Sequence, residues 1–303
     1  MASTACVIGL GSMGYGAAVS LLRAGIEVRG VDVRAEARER FQGAGGATAL
    51  TPAAGAAGAG IVFTFVVNAD QTEAVLFGPA GAAAKLSPGS VVAACATVAP
   101  AYAEELGRRL AAMGLLLLDA PVSGGAARAA KGDVTVMASG APQAFAKAEP
   151  FLRAIAGRVY RLGDAPGIGS RVKMINQLLA GVHIAAAAEA MALGIGTGAD
   201  PRQLYEVIVN SAGSSWMFQD RVPHMLAGDY TPRSAVNIFV KDLGIVVEAG
   251  RAAGLPLPMA EAAYRLFAAA RDQGLGGEDD AAVIKVYVAG GRAALPDPDK
   301  PAG

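Results

Sequence analysis

Two small groups of residues in this 303-residue chain have the types and spacing to do chemistry. The first is Gly9, Gly11 and Gly14 in "VIGLGSMG", the G-x-G-x-x-G spacing of a turn that cradles a pyrophosphate. There the first glycine makes a tight bend, the second lets backbone approach the phosphates, and the third lets helix pack close on strand. The second group is Lys173, Asn176 and Gln177, at the start of "VKMINQLLAGVHIAAAAEAM". At i, i+3 and i+4 they share one helical face, so an amine and two amides converge on one spot. Lysine moves its pKa readily when desolvated and can exchange a proton with a substrate oxygen. Spacing alone leaves a second reading open, in which Lys173 snorkels its charge from a helix end to water.

Context gives the glycine turn its meaning. It lies between the β-rich run "TACVIGL" and the helical pattern "GAAVSLLRAG". A second β-rich run, "IEVRGVDV", carries Asp32 near its end, 18 residues beyond Gly14. A carboxylate there accepts hydrogen bonds from adenosine ribose hydroxyls, and the helix N-terminus points its N–H groups at the phosphates. Gly9, Leu10, Gly11, Ser12, Met13, Gly14 and Asp32 therefore predict a bound dinucleotide. Asp32 would repel a 2′-phosphate, which favours NAD. Arg34 is placed to pair with such a phosphate, which keeps NADP as the lesser alternative.

Other chemistries are excluded by composition. The chain has two histidines and two cysteines, no zinc-ligand spacing, no Y-x-x-x-K pair and no G-x-S-x-G turn, so no metal is expected. His183 stands about 10 Å up the axis from Asn176. A packed core histidine fits it better than a catalytic base. His224, after the proline of "RVPHML", reads as a helix-start residue. Trp216 in "SSWMFQD" reads equally as part of a lid or as a core indole, and Arg128 and Lys131 are expected to face solvent. Basic and acidic residues balance at 26 each, which argues against nucleic acid and acidic lipid as partners. Cys6 and Cys95 sit in separate β-rich runs and make no disulfide framework, as expected in a reducing cytoplasm. The N-terminus lacks the basic region of a signal peptide. Residues 172–191 are apolar enough to be weighed as a membrane span. Lys173, Asn176, Gln177, His183 and Glu189 would be costly in hydrocarbon, so a helix buried between domains or subunits is expected instead.

The elements that must position these residues follow from periodicity. "TACVIGL", "IEVRGVDV", "GIVFTFVV", "GSVVAACAT" and "GLLLLDA" read as strands of βαβ crossovers, with "GDVTVMAS" a sixth strand. This is an α/β Rossmann pattern, a doubly wound and mainly parallel sheet. Beyond it, long Ala- and Leu-bearing helical patterns predict an all-α second domain. The Gly/Pro stretch "RLGDAPGIG" (161–169) places the boundary, giving a dinucleotide-binding domain over 1–165 and a helical substrate and oligomerisation domain over 166–303. The Pro-rich tail "AALPDPDKPAG" is expected to fray.

"VIGLGSMG", "DAPVSGG" (119–125), "GIGSRVKMINQ" (167–177) and "FVKDLGIV" (239–246) resemble, in order and spacing, the motifs of the 3-hydroxyisobutyrate dehydrogenase-related family, the β-hydroxyacid dehydrogenases. The resemblance runs from about residue 4 to about 288. It implies an active site in a cleft between a Rossmann domain and a helical domain. It casts Lys173 as the catalytic lysine, and Ser123, Gly124 and Gly125 as the loop that holds the substrate carboxylate. Lys241 matches the lysine on the nicotinamide side of the cofactor, Thr97 a cleft position after one strand, and Val67 and Asn68 the end of another. The family usually pairs two asparagines after the lysine. Here they are Asn176 and Gln177, one methylene longer, which suggests a differently shaped substrate.

Further stretches, among them "DRVPHMLAGDYTPRSAVNIFVKDLG", look most like the L-threonate dehydrogenase branch. That implies oxidation of a four-carbon sugar acid at C2, with neutral Lys173 taking the hydroxyl proton. Holding a lysine neutral near pH 8 requires about 3 to 4 kcal/mol of desolvation and cation repulsion. The alternatives are a semialdehyde reductase of the tartronate semialdehyde or 3-hydroxyisobutyrate type and a non-catalytic dinucleotide-binding protein. A homodimer or homotetramer is expected from the long apolar helix.

Overall fold

In the computed structural model, which describes residues 4–288, the alternating pattern of the first half becomes one nine-stranded sheet flanked by helices. Its elements run β1 (Ala5–Ile8), α1 (Ser12–Arg23), β2 (Val28–Val31), α2 (Ala35–Gly43), β3 (Ala47–Ala49), α3 (Pro52–Ala56), β4 (Ile61–Thr64), α4 (Ala69–Phe77), β5 (Val91–Ala94) and α5 (Pro100–Ala112). There follow β6 (Leu116–Asp119), β7 (Val122–Ser123), α6 (Gly125–Ala130), β8 (Val134–Ser139), α7 (Pro142–Ile155) and β9 (Ala156–Gly163). The order across the sheet is β3-β2-β1-β4-β5-β6-β8-β7, with β9 on the other side of β8. Strands β1 to β6 pair parallel, whereas β8 runs antiparallel to β6 and β7. Every residue of β1, β4 and β5 is buried, as expected for parallel strands covered by helices on both faces.

Three strands were not among those expected. β3 has three residues and β7 two, too short for any periodicity to register. β9 is long, but it is an edge strand with five consecutive exposed residues, Gly157 to Arg161, and has no hydrophobic face to read. The stretch 161–169 therefore holds the end of β9 as well as a helix start.

α1 and α6 lie unusually close. A Cβ on Gly16 would come within 2.6 Å of the Ala129 carbonyl carbon, so only glycine lets the two backbones meet.

The chain divides into two compact units, one through Met174 and one from Ile175. Helix α8 (Ile168–Gly196) contributes its first turns to the former and the rest to the latter. α9 (Pro201–Val209), α10 (Trp216–Ala227), α11 (Val236–Ala252) and α12 (Pro258–Ala270) follow, then a 3₁₀ segment, Asp280–Ile284. After β9 no strand occurs among the described residues, only an isolated bridge between Ala235 and Asp279. The core of the helical unit gathers Ile184, Ala188 and Met191 of α8 with Phe218 and Met225 of α10, Phe239 and Leu243 of α11, and Phe267 of α12. Phe239 and Phe267 stack at 5.1 Å between ring centroids. Gly181 lets α8 approach α11, since a Cβ there would meet the Leu243 side chain at 2.9 Å. Helix α8 is long and apolar enough to cross a membrane, but its buried face is the core of this unit. The expected fraying of the Pro-rich tail falls outside the described residues.

His224 departs from expectation. Ser215 caps α10 by accepting from the Phe218 N–H, so the helix starts at Trp216, well before Pro223, and carries that proline inside it. His224 thus lies near the helix end and is buried. Its Nε2 faces the Arg233 guanidinium at 2.5 Å and its Nδ1 faces the Asp279 carboxylate at 2.9 Å. A guanidinium only donates, so Nε2 accepts and Nδ1 carries the proton given to Asp279. Trp216, 58 % exposed at the first turn of α10, is not a core indole.

Candidate active site

The glycine turn has the shape that the spacing demands. Gly9 takes φ +94°, and a Cβ there would lie 2.3 Å from the Phe65 carbonyl oxygen. A Cβ on Gly14 would collide with the Gly9 carbonyl oxygen, so helix α1 starts tight against the turn. Gly11 is different. The nearest atom to its virtual Cβ is the Arg34 guanidinium at 3.9 Å, which leaves open space beside its backbone. Two crowded glycines and one open one make a cradle into which a pyrophosphate fits.

Asp32 follows β2, and its carboxylate reaches back to this turn. Oδ2 accepts from the Leu10 N–H at 2.8 Å, and Oδ1 accepts from the Arg34 N–H at 2.9 Å. Arg34 also grips it through Nε at 3.1 Å and Nη2 at 3.2 Å. Burial alone would raise this carboxyl, but the hydrogen bonds from Arg34 and Leu10 outweigh it and hold it below the usual carboxylate range. Arg34, considered above as a phosphate partner, is thus paired with Asp32. Arg38 donates to the Asp32 carbonyl at 2.7 Å, so Asp32 is held from three sides.

Of the other candidate cofactor residues, Val67, Asn68 and Thr97 follow parallel strands, and Lys241 lies on α11. Val67 and Asn68 connect β4 to α4; Asn68 caps that helix by accepting from the Gln71 N–H at 2.8 Å, and Val67 is exposed. Thr97 is partly buried between β5 and α5. Ser123 ends β7, and Gly124, the cap of α6, and Gly125, its first residue, both take positive φ, at +128° and +70°. Space around Gly125 is open, with nothing within 4 Å of a virtual Cβ. Arg128, half-exposed, pairs with Asp133 at 3.0 Å, and Lys131 is exposed, as expected.

On α8, Lys173 is only 6 % exposed, which rules out the reading in which its charge snorkels to water. Gln177 is 7 % exposed and donates through Nε2 to Asp242 Oδ2 at 2.5 Å, while Asn176 donates to Gln177 Oε1 at 3.0 Å. Asp242 also accepts from Lys241 Nζ at 2.5 Å. Asn176, Gln177 and Lys241 therefore form one chain of hydrogen bonds centred on Asp242, a residue that sequence reasoning did not single out. Its signal was a carboxylate beside Lys241 in an otherwise apolar helical stretch. His183 is partly buried.

Residues 4–163 match the family model described as the NAD binding domain of 6-phosphogluconate dehydrogenase. Residues 167–287 match that described as NAD-binding of NADP-dependent 3-hydroxyisobutyrate dehydrogenase. The chain belongs to the 3-hydroxyisobutyrate dehydrogenase-related family. It is 62 % identical over 281 residues to an L-threonate dehydrogenase of Cupriavidus necator, covering 93 % of this chain and 95 % of that protein. An L-threonate dehydrogenase of Escherichia coli K12 is 50 % identical over 282 residues, covering 93 % of each. A crystal structure described as 3-hydroxyisobutyrate dehydrogenase from Salmonella typhimurium superposes with a TM-score of 0.90 at 48 % identity, covering 94 % of this chain and 99 % of that one. Membership makes the chain an NAD-dependent hydroxyacid dehydrogenase, with the Rossmann sheet and helical second half seen here.

Proposed function

We propose that this dehydrogenase oxidises L-threonate at its C2 hydroxyl, with Lys173 as the acid/base. The observation that carries the substrate is 62 % identity, along almost the whole chain, with a relative of that name. The turn from Gly9 to Gly14, with Asp32, Val67, Asn68, Thr97 and Lys241, would hold NAD, which when bound would supply the hydride acceptor. Ser123, Gly124 and Gly125 bind the substrate carboxylate through N–H and hydroxyl donors. Asn176 and Gln177 orient the sugar hydroxyls, and Asp242 fixes the Gln177 amide by accepting a hydrogen bond from its Nε2. Lys173, buried and neutral, accepts the C2 hydroxyl proton as the C2–H bond breaks and the carbonyl forms. Burial supports this role, since desolvation disfavours the ammonium form.

Lys173→Ala is expected to lower kcat by about two to four orders of magnitude while NADH binding, read by fluorescence titration, stays near that of the parent. Intact turnover would remove the lysine from the mechanism. Asp32→Ala is expected to weaken NAD and narrow its advantage over NADP. A panel of sugar acids and semialdehydes with both cofactors tests the substrate. The second reading, a 3-hydroxyisobutyrate or other semialdehyde-type enzyme, is favoured by the description of the Salmonella typhimurium structure. It would win if L-threonate were turned over more slowly than 3-hydroxyisobutyrate.

The same reading includes a cytoplasmic homodimer or homotetramer. Val172, Ile175, Leu179 and Leu193 of α8 are exposed apolar residues on one helix, and a second copy would cover them. Both cysteines are buried and free, as suits a reducing compartment. Sedimentation of the parent and of Leu179→Glu tests the assembly. A monomeric parent would sink it.

A further inference from the structure

Asp119 closes β6 and is 1 % exposed, yet no charged side chain meets it in a hydrogen bond. Its four hydrogen-bond donors are all neutral. Oδ2 accepts from the Gly167 N–H at 2.9 Å, from the Ser170 N–H at 2.8 Å and from the Ser139 hydroxyl at 3.3 Å, and Oδ1 accepts from the Ser170 hydroxyl at 2.7 Å. The Ser139 oxygen in turn accepts from the Gly169 N–H at 2.9 Å. A helix leaves its first N–H groups without intrahelical partners. At the start of α8 three of these, from Gly167, Gly169 and Ser170, are met by side chains of β6 and β8, at the point where Asp119 and Ser139 pair across the sheet. A Cβ on Gly169 would lie 2.4 Å from the Met137 carbonyl oxygen, so the helix sits directly on strand backbone.

The geometry points to Asp119 as a positioning residue for the reaction, its carboxylate pinning the first turn of α8 to the sheet and so fixing where the Lys173 amine stands. Lys173 lies three residues beyond Ser170, on the same helix face, and helical side chains lean toward the N-terminal end. A negative carboxylate also complements the positive end of the helix. Burial holds this carboxyl above the usual carboxylate range, and the four donors offset only part of that rise. Since every partner donates, the ionised form is the one that the site accommodates. Asp119 also opens the segment that reaches Ser123 and Gly125 within six residues. One carboxylate therefore sets both the lysine helix and the root of the carboxylate-binding loop.

The inference rests on Lys173 being the acid/base, so the test runs three variants together: Asp119→Asn, Ser170→Ala and Lys173→Ala. Each is measured for kcat and KM, NADH affinity, melting temperature, and the primary isotope effect on kcat. The substrate carries deuterium at C2 and is L-threonate, or whichever acid of the panel is turned over. Displacing a reacting group by about 1 Å costs on the order of a hundredfold in rate. Asp119→Asn is expected to lose about ten- to a hundredfold in kcat, and Ser170→Ala several-fold. NADH affinity should stay near that of the parent, and the isotope effect should rise as the chemical step becomes limiting. A lower melting temperature with kcat per folded enzyme and isotope effect unchanged would overturn the positioning role and leave a purely structural one. If Asp119→Asn does not fold, Ser170→Ala decides by the same two readouts. Lys173→Ala separates the failures. An active Lys173→Ala sinks the lysine reading itself, whereas an inactive one beside normal Asp119→Asn and Ser170→Ala enzymes sinks only the role of Asp119.

Discussion

Each unit buries a carboxylate that joins distant segments, Asp119 in one and Asp280 in the other, and these two are stabilised in opposite ways. In the sheet-bearing unit Asp119 is met by backbone N–H groups and serine hydroxyls. In the helical unit Asp280, fully buried, is gripped by Arg221 through Nε at 2.5 Å and Nη2 at 3.1 Å, and its neighbour Asp279 accepts hydrogen bonds from His224 Nδ1 and the Arg233 N–H. The difference follows from what each carboxylate holds. Neutral donors at a helix start fix a backbone in place, and their geometry is rigid because the donors belong to the chain itself. A buried arginine tethers one distant segment to another, 59 residues away in sequence, and leaves a buried charge poorly compensated if that partner goes. The first arrangement places, and the second clamps.

The contrast can be broken most forcefully at the clamp. Asp280→Ala leaves the buried Arg221 with only the half-exposed Asp220 as an ion-pair partner, and urea unfolding is expected to show a loss of up to about 3–5 kcal/mol. Replacing both partners with leucine should recover most of it, since a buried pair is seldom worth more than apolar packing. Asp119→Ala strands only neutral donors, so the same measurement should show about 1–3 kcal/mol. Equal losses at the two sites would erase the distinction.

A pH titration of stability sharpens it further. Burial pushes Asp280 up to about 6 even with Arg221 against it. A carboxyl whose folded pKa lies above its unfolded value of about 4 contributes stability that is fully present below that pH and lost as pH rises through about 6. Stability is therefore expected to decline across that window, and Asp280→Asn should flatten the slope. A slope unchanged in Asp280→Asn would place its origin elsewhere. The smallest effect is expected at Arg34, whose side chain is 59 % exposed beside Asp32. Arg34→Ala should cost under about 1 kcal/mol, because a surface partner that a ligand must be able to dislodge cannot also be a strong clamp. Calorimetric melting of that variant checks it.

Legibility divides along the same line. The glycine turn, Asp32 and the βαβ alternation are set by neighbours in sequence, and they could be read from spacing. The cluster of Asn176 and Gln177 on one face followed from helix periodicity. Asp119 could not be found that way, because its partners lie 20 to 51 residues off and no local pattern records them. Asp242 sits beside Lys241 in a motif that was noticed, but its bond to Gln177 spans 65 residues. His224 was misplaced because Pro223 reads as a helix breaker, while the Ser215 cap that starts the helix earlier is the weaker signal. β9 escaped because an exposed edge strand needs no hydrophobic alternation.

The contact at Gly16 bears on any attempt to retarget this enzyme. Helix α1 leaves the phosphate-binding turn, helix α6 leaves the Ser123–Gly124–Gly125 loop, and the two touch backbone to backbone. A larger residue introduced on either helix at that seam would shift both recognition loops at once. Under the roles proposed for these loops, substitutions at this seam meant to widen the range of accepted acids would carry an unsought penalty in dinucleotide affinity, and the two properties would have to be selected together.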